Sequence, residues 1–464
     1  MRPSKYLWVL SLGLANASEP QNANHIFNAI QSCLRHYESA LNPYGMAFHL
    51  ASVPKGTRFY HGTGKADPIV GVEWLAFKPQ HSLGFAHRSG WRREKRSLDE
   101  QEPLNSLADS HADADVNDDA DDDIPHGYLH TYAAARDLRL LYIDGMSAGP
   151  GGSAESQDRI LFNDTIHSPA PGPRPPVGGP PAEKERAFQT CRMVEEVWGE
   201  RVDGVVRTEG DFEIILCRFE RDLEVVGITQ TRAQDGPGFG GPRGGKGKGR
   251  PGKGGKGRGG PGGGLRGPVR GDCCSIAAKY DQLLGHKVHL DFDHFVSAFS
   301  YGLDLFPAGS DRPVLDHIPT ELLEPIRRDI NDMVNSLEPA VGSFDWQAVA
   351  DMIVFRYSDE LQTLAAGNFS SAEALHERLE GLLEPFIDYR HFGAKGEIIH
   401  LCENEFIPGS APVQSVGGRV VSSISRSICS TLASGLLDEK DLDETVASFK
   451  QLVEFLDWTT WKGQ

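Results

Sequence analysis

Three separated stretches of this 464-residue chain carry side chains that could serve one ligand. Phe59-Tyr60-His61-Gly62-Thr63 reads as a strand running into a glycine turn. Trp74-Leu75-Ala76-Phe77 reads as a second strand, followed through Pro79 by a short helix containing Phe85-Ala86. Phe212-Glu213-Ile214-Ile215-Leu216 reads as a late strand carrying one outward carboxylate, with Glu209 competing for the same role. A histidine beside a glycine, ring-bearing elements and a single carboxylate suit a flat ring held next to fixed negative charge. They supply neither a metal set nor an activated nucleophile.

Other groupings are weaker. Asp113, Asp115 and Asn117 match the first three ligand positions of an EF-hand loop, but Asp118 replaces the required glycine and Ile124 the bidentate glutamate. The run therefore reads as a solvated acidic tract. His126 and His130 have the spacing of two ligands on one helix face, yet Gly127 weakens such a helix and no third ligand follows. Seven cysteines (Cys33, Cys191, Cys217, Cys273, Cys274, Cys402, Cys429) show no CxxC or Cys/His zinc spacing, and their odd number leaves at least one without an intrachain partner. No metal is expected.

The elements that must position the first three stretches form a mixed region. Ile26, Ile30, Cys33, Leu34, Tyr37 and Leu41 fall at helical spacing up to Asn42-Pro43, an opening amphipathic helix. Strands are expected over 57–61, 72–77, 138–144 and 212–219, and a helix over 185–198. Residues 18–234 thus read as an α+β domain. It is interrupted by a disordered acidic insertion over 88–126 and a Gly/Pro-rich loop over 149–182, and followed by a Gly/Lys/Arg-rich linker over 235–271. Residues 272–464 carry five apolar stripes of helical period, opening near Leu322, Trp346, Leu375, Val421 and Val446, the third led by a capping box at Ser370-Ser-Ala-Glu373. The expected fold class is α+β, a mixed α/β N-terminal domain followed by an all-α helical bundle.

Charge and hydropathy narrow the function. Against 65 Asp+Glu stand 47 Lys+Arg, a formal net charge of −18. Residues 99–123 hold 11 acids and no Lys or Arg, residues 236–270 hold 9 bases and no acids, and the remainder stays acidic. Such a body does not neutralise phosphates, and the basic linker offers one aromatic, Phe239, for base stacking, so no specific nucleic acid partner is expected. No apolar run approaches the roughly 18 residues of a bilayer span, so no integral membrane segment is expected. The N-terminal MRPSKYLWVLSLGLANASEP has basic Arg2 and Lys5, an apolar stretch from Leu7 to Ala15 and the small-x-small site Ala15-Asn16-Ala17, the pattern of a signal peptide over 1–17. The expected location is extracellular, and the sequons Asn163-Asp-Thr and Asn368-Phe-Ser suit a secreted glycoprotein.

The His-Gly turn, the aromatic strand and helix, and the late-strand glutamate together resemble the diphtheria-type mono- and poly-ADP-ribosyltransferases over about 150 residues. The resemblance implies NAD as co-substrate without a metal: His61 and Thr63 would hold the cofactor, Phe77 or Phe85 would stack the nicotinamide, and Glu213 would be catalytic. Cleaving the nicotinamide glycosidic bond develops positive charge on the sugar, which a fixed carboxylate in a dry pocket stabilises better than water does. The whole chain is also similar to uncharacterised secreted proteins of filamentous fungi through Tyr60-His-Gly-Thr, Glu73-Trp-Leu-Ala-Phe, Leu141-Tyr-Ile-Asp-Gly-Met-Ser-Ala-Gly, Phe212-Glu-Ile-Ile-Leu-Cys, Asp345-Trp-Gln-Ala-Val and Asp457-Trp-Thr-Thr-Trp-Lys. Members similar to it often continue into a cysteine-rich tail.

Two functions remain open at this level: an ADP-ribosyltransferase-like or NAD-glycohydrolase-like enzyme, and a non-catalytic extracellular or cell-wall-associated interaction protein. The second makes His61 and the aromatics core or turn residues, with Glu213 on a solvated face and an unknown protein or wall component as partner. Oligomeric state is not legible. Export is checked by the intact mass of secreted material, expected to show a chain starting near Ser18 with glycan on Asn163 or Asn368. A chain retaining Met1 and carrying no glycan would remove the secretory reading.

Overall fold

The computed structural model describes residues 20–35, 45–86, 126–146, 154–163, 183–208, 212–231, 287–308, 310, 312–336, 342–391 and 393–461. Helix α1 (Ala23–Ser32) is followed by β1 (Ala47–Val53), β2 (Arg58–Thr63), β3 (Glu73–Ala76), α2 (Pro79–Leu83), β4 (Tyr128–Ala134) and β5 (Leu138–Met146). Then come α3 (Ala154–Phe162), α4 (Glu183–Glu196), β6 (Gly204–Thr208), β7 (Phe212–Leu216), α5 (Phe219–Asp222) and β8 (Leu223–Gln230). After the linker stand β9 (His289–Ser297), α6 (Glu324–Ser336), α7 (Trp346–Ala366), α8 (Ala372–Leu383), α9 (Lys395–Glu403), α10 (Val416–Leu437) and α11 (Leu442–Leu456). A region mixing strands and helices thus precedes a stretch of long helices, the expected fold class. The signal-peptide segment, the acidic insertion with its EF-hand-like run, the linker, and Cys273 and Cys274 lie outside the described residues.

Nine strands form one sheet in the order β8-β4-β2-β3-β7-β6-β5-β1-β9. Its last strand, β9, comes from the span after the linker, which is otherwise helical among the described residues. β9 pairs antiparallel with β1, matching Ala47 with Ser297 and Phe48 with Val296. The aspartates that break its apolar pattern are satisfied in place. Asp291 Oδ1 accepts the backbone N–H of Asp293 at 2.8 Å and of His294 at 3.0 Å, and Asp293 accepts the Trp346 indole N–H at 3.0 Å. β1 is buried along its whole length, so no alternation marks it as a strand in the sequence.

The helices obey their end signals with small shifts. Asp345 caps α7 by accepting the Ala348 N–H at 2.9 Å, and Asp441 with Glu444 makes a true capping box on α11. α8 is capped by Ser371 rather than Ser370, since the Ala374 N–H reaches the Ser371 hydroxyl at 3.3 Å. α3 lies inside the stretch expected to be a Gly/Pro-rich loop. Its segment AESQDRILF holds neither Gly nor Pro, and Ile160 and Leu161 are buried. By length and composition α10 could cross a bilayer; in the fold Val421, Ile424, Ile428, Leu432 and Leu436 are buried in the bundle. A disulfide between Cys402 and Cys429 ties α9 to α10, and Cys33 is a buried free thiol.

One apolar core runs from the sheet into the bundle, containing Phe27, Phe48 and Tyr142 together with Trp346, Ile424, Phe449 and Trp458. Polar contacts cross the linker as well. Asn28 Nδ2 donates to the Leu456 carbonyl at 3.0 Å, and Gln347 Nε2 satisfies the carbonyls of Ile30 and Cys33 at the end of α1 at 3.0 and 2.7 Å. The linker therefore divides the sequence without dividing the core. A fragment starting at residue 272 would leave β9 unpaired and expose the bed of α1, so it is expected to lose the cooperative melt of the full chain. One sharp thermal transition with native helical circular dichroism in that fragment would contradict the shared core.

Candidate functional site

The sheet has a seam between β2 and β3. β2 pairs with β4 from Arg58↔Ala133 to Thr63↔Tyr128, and β3 pairs with β7 from Glu73↔Leu216 to Ala76↔Glu213, but β2 meets β3 through the single bridge Tyr60↔Ala76. Where that ladder stops, a side chain spans the gap: His61 Nδ1 lies 2.8 Å from the Trp74 carbonyl oxygen. A carbonyl only accepts, so Nδ1 carries the proton and Nε2 is left as a lone-pair acceptor. Burial lowers the His61 pKa to about 4, with the Trp74 hydrogen bond opposing that shift, so the ring is neutral at physiological pH. Phe219 meets it edge-on, with ring centroids 5.9 Å apart.

Glycine at position 62 is required by a close approach. A Cβ built there would stand 1.8 Å from the Ser82 carbonyl oxygen and 2.8 Å from the Ala86 nitrogen. α2 can therefore lie directly on β2, which brings His81, Ser82 and the half-buried Phe85 to the seam. Phe85 packs edge-on to His81 at 5.5 Å.

His61, Trp74, His81, Ser82, Phe85 and Glu213 line one narrow cleft that is partly open to solvent. Glu213 is buried, 3% exposed, and not on the solvated face that the interaction-protein reading gives it. Across the β6/β7 ladder it faces Arg207, whose Nε and Nη2 both donate to Oε1, at 2.8 and 2.7 Å. Arg207 also pairs with Glu183 at the start of α4. The cleft lining thus combines residues of β2, β3 and the α2 segment with a carboxylate held by a guanidinium.

The structure brings together His61, Phe85 and Glu213 and leaves Thr63 and Phe77 out of the cleft lining. Phe77 is a core residue, packed edge-on to Phe59 at 5.2 Å. Thr63 is buried and its hydroxyl accepts the Lys65 N–H at 3.4 Å. Glu209 lies outside the described residues. His130 stands on β4, not on a helix: its Nε2–H donates to the Lys65 carbonyl at 2.8 Å and its Nδ1 faces the Tyr132 hydroxyl at 3.1 Å. His126 is engaged by the Thr231 carbonyl at 3.1 Å. Among the described residues no group of three or more His, Cys, Asp or Glu is placed to hold a metal ion. His81, Ser82 and Arg207 escaped the sequence reading, and Trp74 was named there only as part of its strand. Arg207 could have been found only by recognising GVVRT as the strand beside Glu213.

Residues 16–128 and 93–236 match the family described as the YPL277C N-terminal domain, a span that contains the cleft and ends where the basic linker begins. The chain is 26% identical over 375 residues to a protein of Saccharomyces cerevisiae named Uncharacterized protein YOR389W, covering 74% of this chain and 58% of that one. It is 26% identical over 376 residues to Uncharacterized protein YPL277C of the same yeast, covering 74% of this chain and 75% of that one. No solved structure matches the chain.

Two buried histidines set an expected pH dependence. His49, with its ring against Phe295, is also lowered to about 4 by burial. Both are neutral in the fold and regain an ordinary pKa near 6.5 on unfolding, so their stabilisation is complete above that value and is lost as pH falls through about 4. The loss is on the order of 3 kcal/mol per ring. Buried Asp144, raised to about 7, acts in the opposite sense, costing stability as pH rises from about 4 to 7. The histidine step is therefore read as a difference: in urea titrations, wild type is expected to lose more stability than His61→Gln between pH 7 and pH 4. Equal losses would mean that His61 is not held neutral.

Proposed function

We propose that the seam cleft handles NAD and that the chain breaks the nicotinamide–ribose bond, by ADP-ribosyl transfer or by hydrolysis. The observation that carries this reading is the convergence of His61, Phe85 and Glu213, from β2, the turn after α2, and β7, on one cleft. Departure of nicotinamide leaves positive charge on the ribose, and Glu213 supplies negative charge in a site with little water to screen it. Phe85 and Trp74 offer ring surfaces to the leaving group, and His61 Nε2 can accept a hydrogen bond from the carboxamide.

A second reading has its own support. Arg207 neutralises Glu213 and the cleft is narrow, which suits a structural ion pair in a non-catalytic extracellular or cell-wall-associated interaction protein. Export is part of both proposals: disulfides Cys191–Cys217 and Cys402–Cys429 suit an oxidising compartment, and the sequon residues Asn163 and Asn368 are exposed.

NAD consumption by the purified mature chain decides between them. Glu213→Gln keeps the shape and removes the charge, so turnover is expected to fall on the order of 100-fold. Arg207 retains Glu183 as a partner in that variant, so the melting transition is expected to stay cooperative. A wild-type chain that neither binds nor consumes NAD would leave the interaction protein as the function.

A further inference from the structure

We propose that Arg207 is the positioning residue of Glu213, and that α4 sets its position through Glu183; the inference rests on the reading of the cleft as an NAD site. Both Arg207 donors fall on Glu213 Oε1, at 2.8 and 2.7 Å, while Oε2 takes no hydrogen bond from the described residues. One carboxylate oxygen is anchored and the other is available to a ligand.

The anchor is itself anchored. Arg207 Nη2 also donates to Glu183 Oε2; Glu183 Oε1 accepts from Arg186; and Arg186 grips Asp158 of α3 through Nε and Nη2 at 2.6 and 2.5 Å. Charge alternates along Asp158, Arg186, Glu183, Arg207 and Glu213, and each inner member is bonded on both sides. Side-chain exposure along this chain runs from 3% to 17%, so moving one group leaves its neighbours unpaired where water cannot compensate. A covalent tie runs alongside. Cys191, two turns beyond Glu183 on α4, is bonded to Cys217, four residues beyond Glu213, and Ala187 packs on Trp74 and Ile215 between them. The helix is thus fastened to the sheet at both ends of the contact, and Glu183 cannot swing away from Arg207.

A carboxylate that stabilises a ribosyl cation acts in the transition state, so a shift of a few tenths of an ångström affects kcat more than substrate binding. Arg207→Lys keeps the charge but loses the fork that reaches Glu213 and Glu183 together. In the full chain it is expected to lower kcat for NAD on the order of 30-fold with KM within about 2-fold of wild type. Glu183→Gln does not touch Glu213, yet is expected to lower kcat several-fold with the same unchanged KM. The second readout is the carbon-13 carboxyl signal of Glu213, identified by its loss in Glu213→Gln, and expected to move in both variants. Unchanged kcat with an unmoved signal overturns the proposal, as does a rise in KM with kcat intact. A wild type without NAD turnover sinks the reading of the cleft instead. The positioning role is then decided by the carboxyl signal alone, which must move in Glu183→Gln.

Discussion

The antiparallel pairing of β9 with β1 is the constraint on which the rest of the molecule depends. The two strands lie more than two hundred residues apart, and their ladder makes the helical half complete the sheet rather than fold beside it. Once β9 is in place, both faces of β1 are covered, α1 packs among the bundle helices, and one core serves the whole chain. Closing so long a loop costs entropy that grows only slowly with length, so the insertion of a long linker is tolerated if the joined surfaces are apolar enough. They are: Phe48, Leu50, Phe292 and Phe295 are all buried where the strands meet.

The candidate site forms where backbone bonding is weakest. A sheet bonded throughout has no room between strands, whereas the single β2/β3 bridge leaves a gap that His61, α2 and Phe85 fill only in part. Gly62 permits that arrangement by letting the Ser82 carbonyl approach the strand. On the far side of the seam, the buried Glu213 is paired with Arg207, and Arg207 in turn is paired with Glu183, so none of the three is left without a partner away from water. The packing of α4 and the charge in the cleft are therefore one structural fact.

The match to the YPL277C N-terminal domain ends at residue 236, yet the sheet that carries the cleft takes its ninth strand from residues 289–297. The matched span holds every residue lining the cleft but not the strand that closes the core. The chain spans 58% of the length of YOR389W.

Much of this was legible in the sequence. The five long apolar stripes of the second half are helices because period and propensity agree there with burial, as in Val421, Ile424, Ile428, Leu432 and Leu436 of α10. The strands carrying His61 and Glu213 were legible for the same local reason, and so were the types of side chain in the site. What the sequence could not determine was which strands would be neighbours. β1 has no alternation because both its faces are buried, and β9 hides behind aspartates whose partners, Phe344 and Trp346, lie some fifty residues away. Glu213 has the sequence of a half-exposed strand residue. Only the tertiary structure sets Arg207 opposite it, places Phe77 in the core and turns Phe85 to the cleft, because charge pairing and ring packing are decided by distances between elements, which local sequence does not fix.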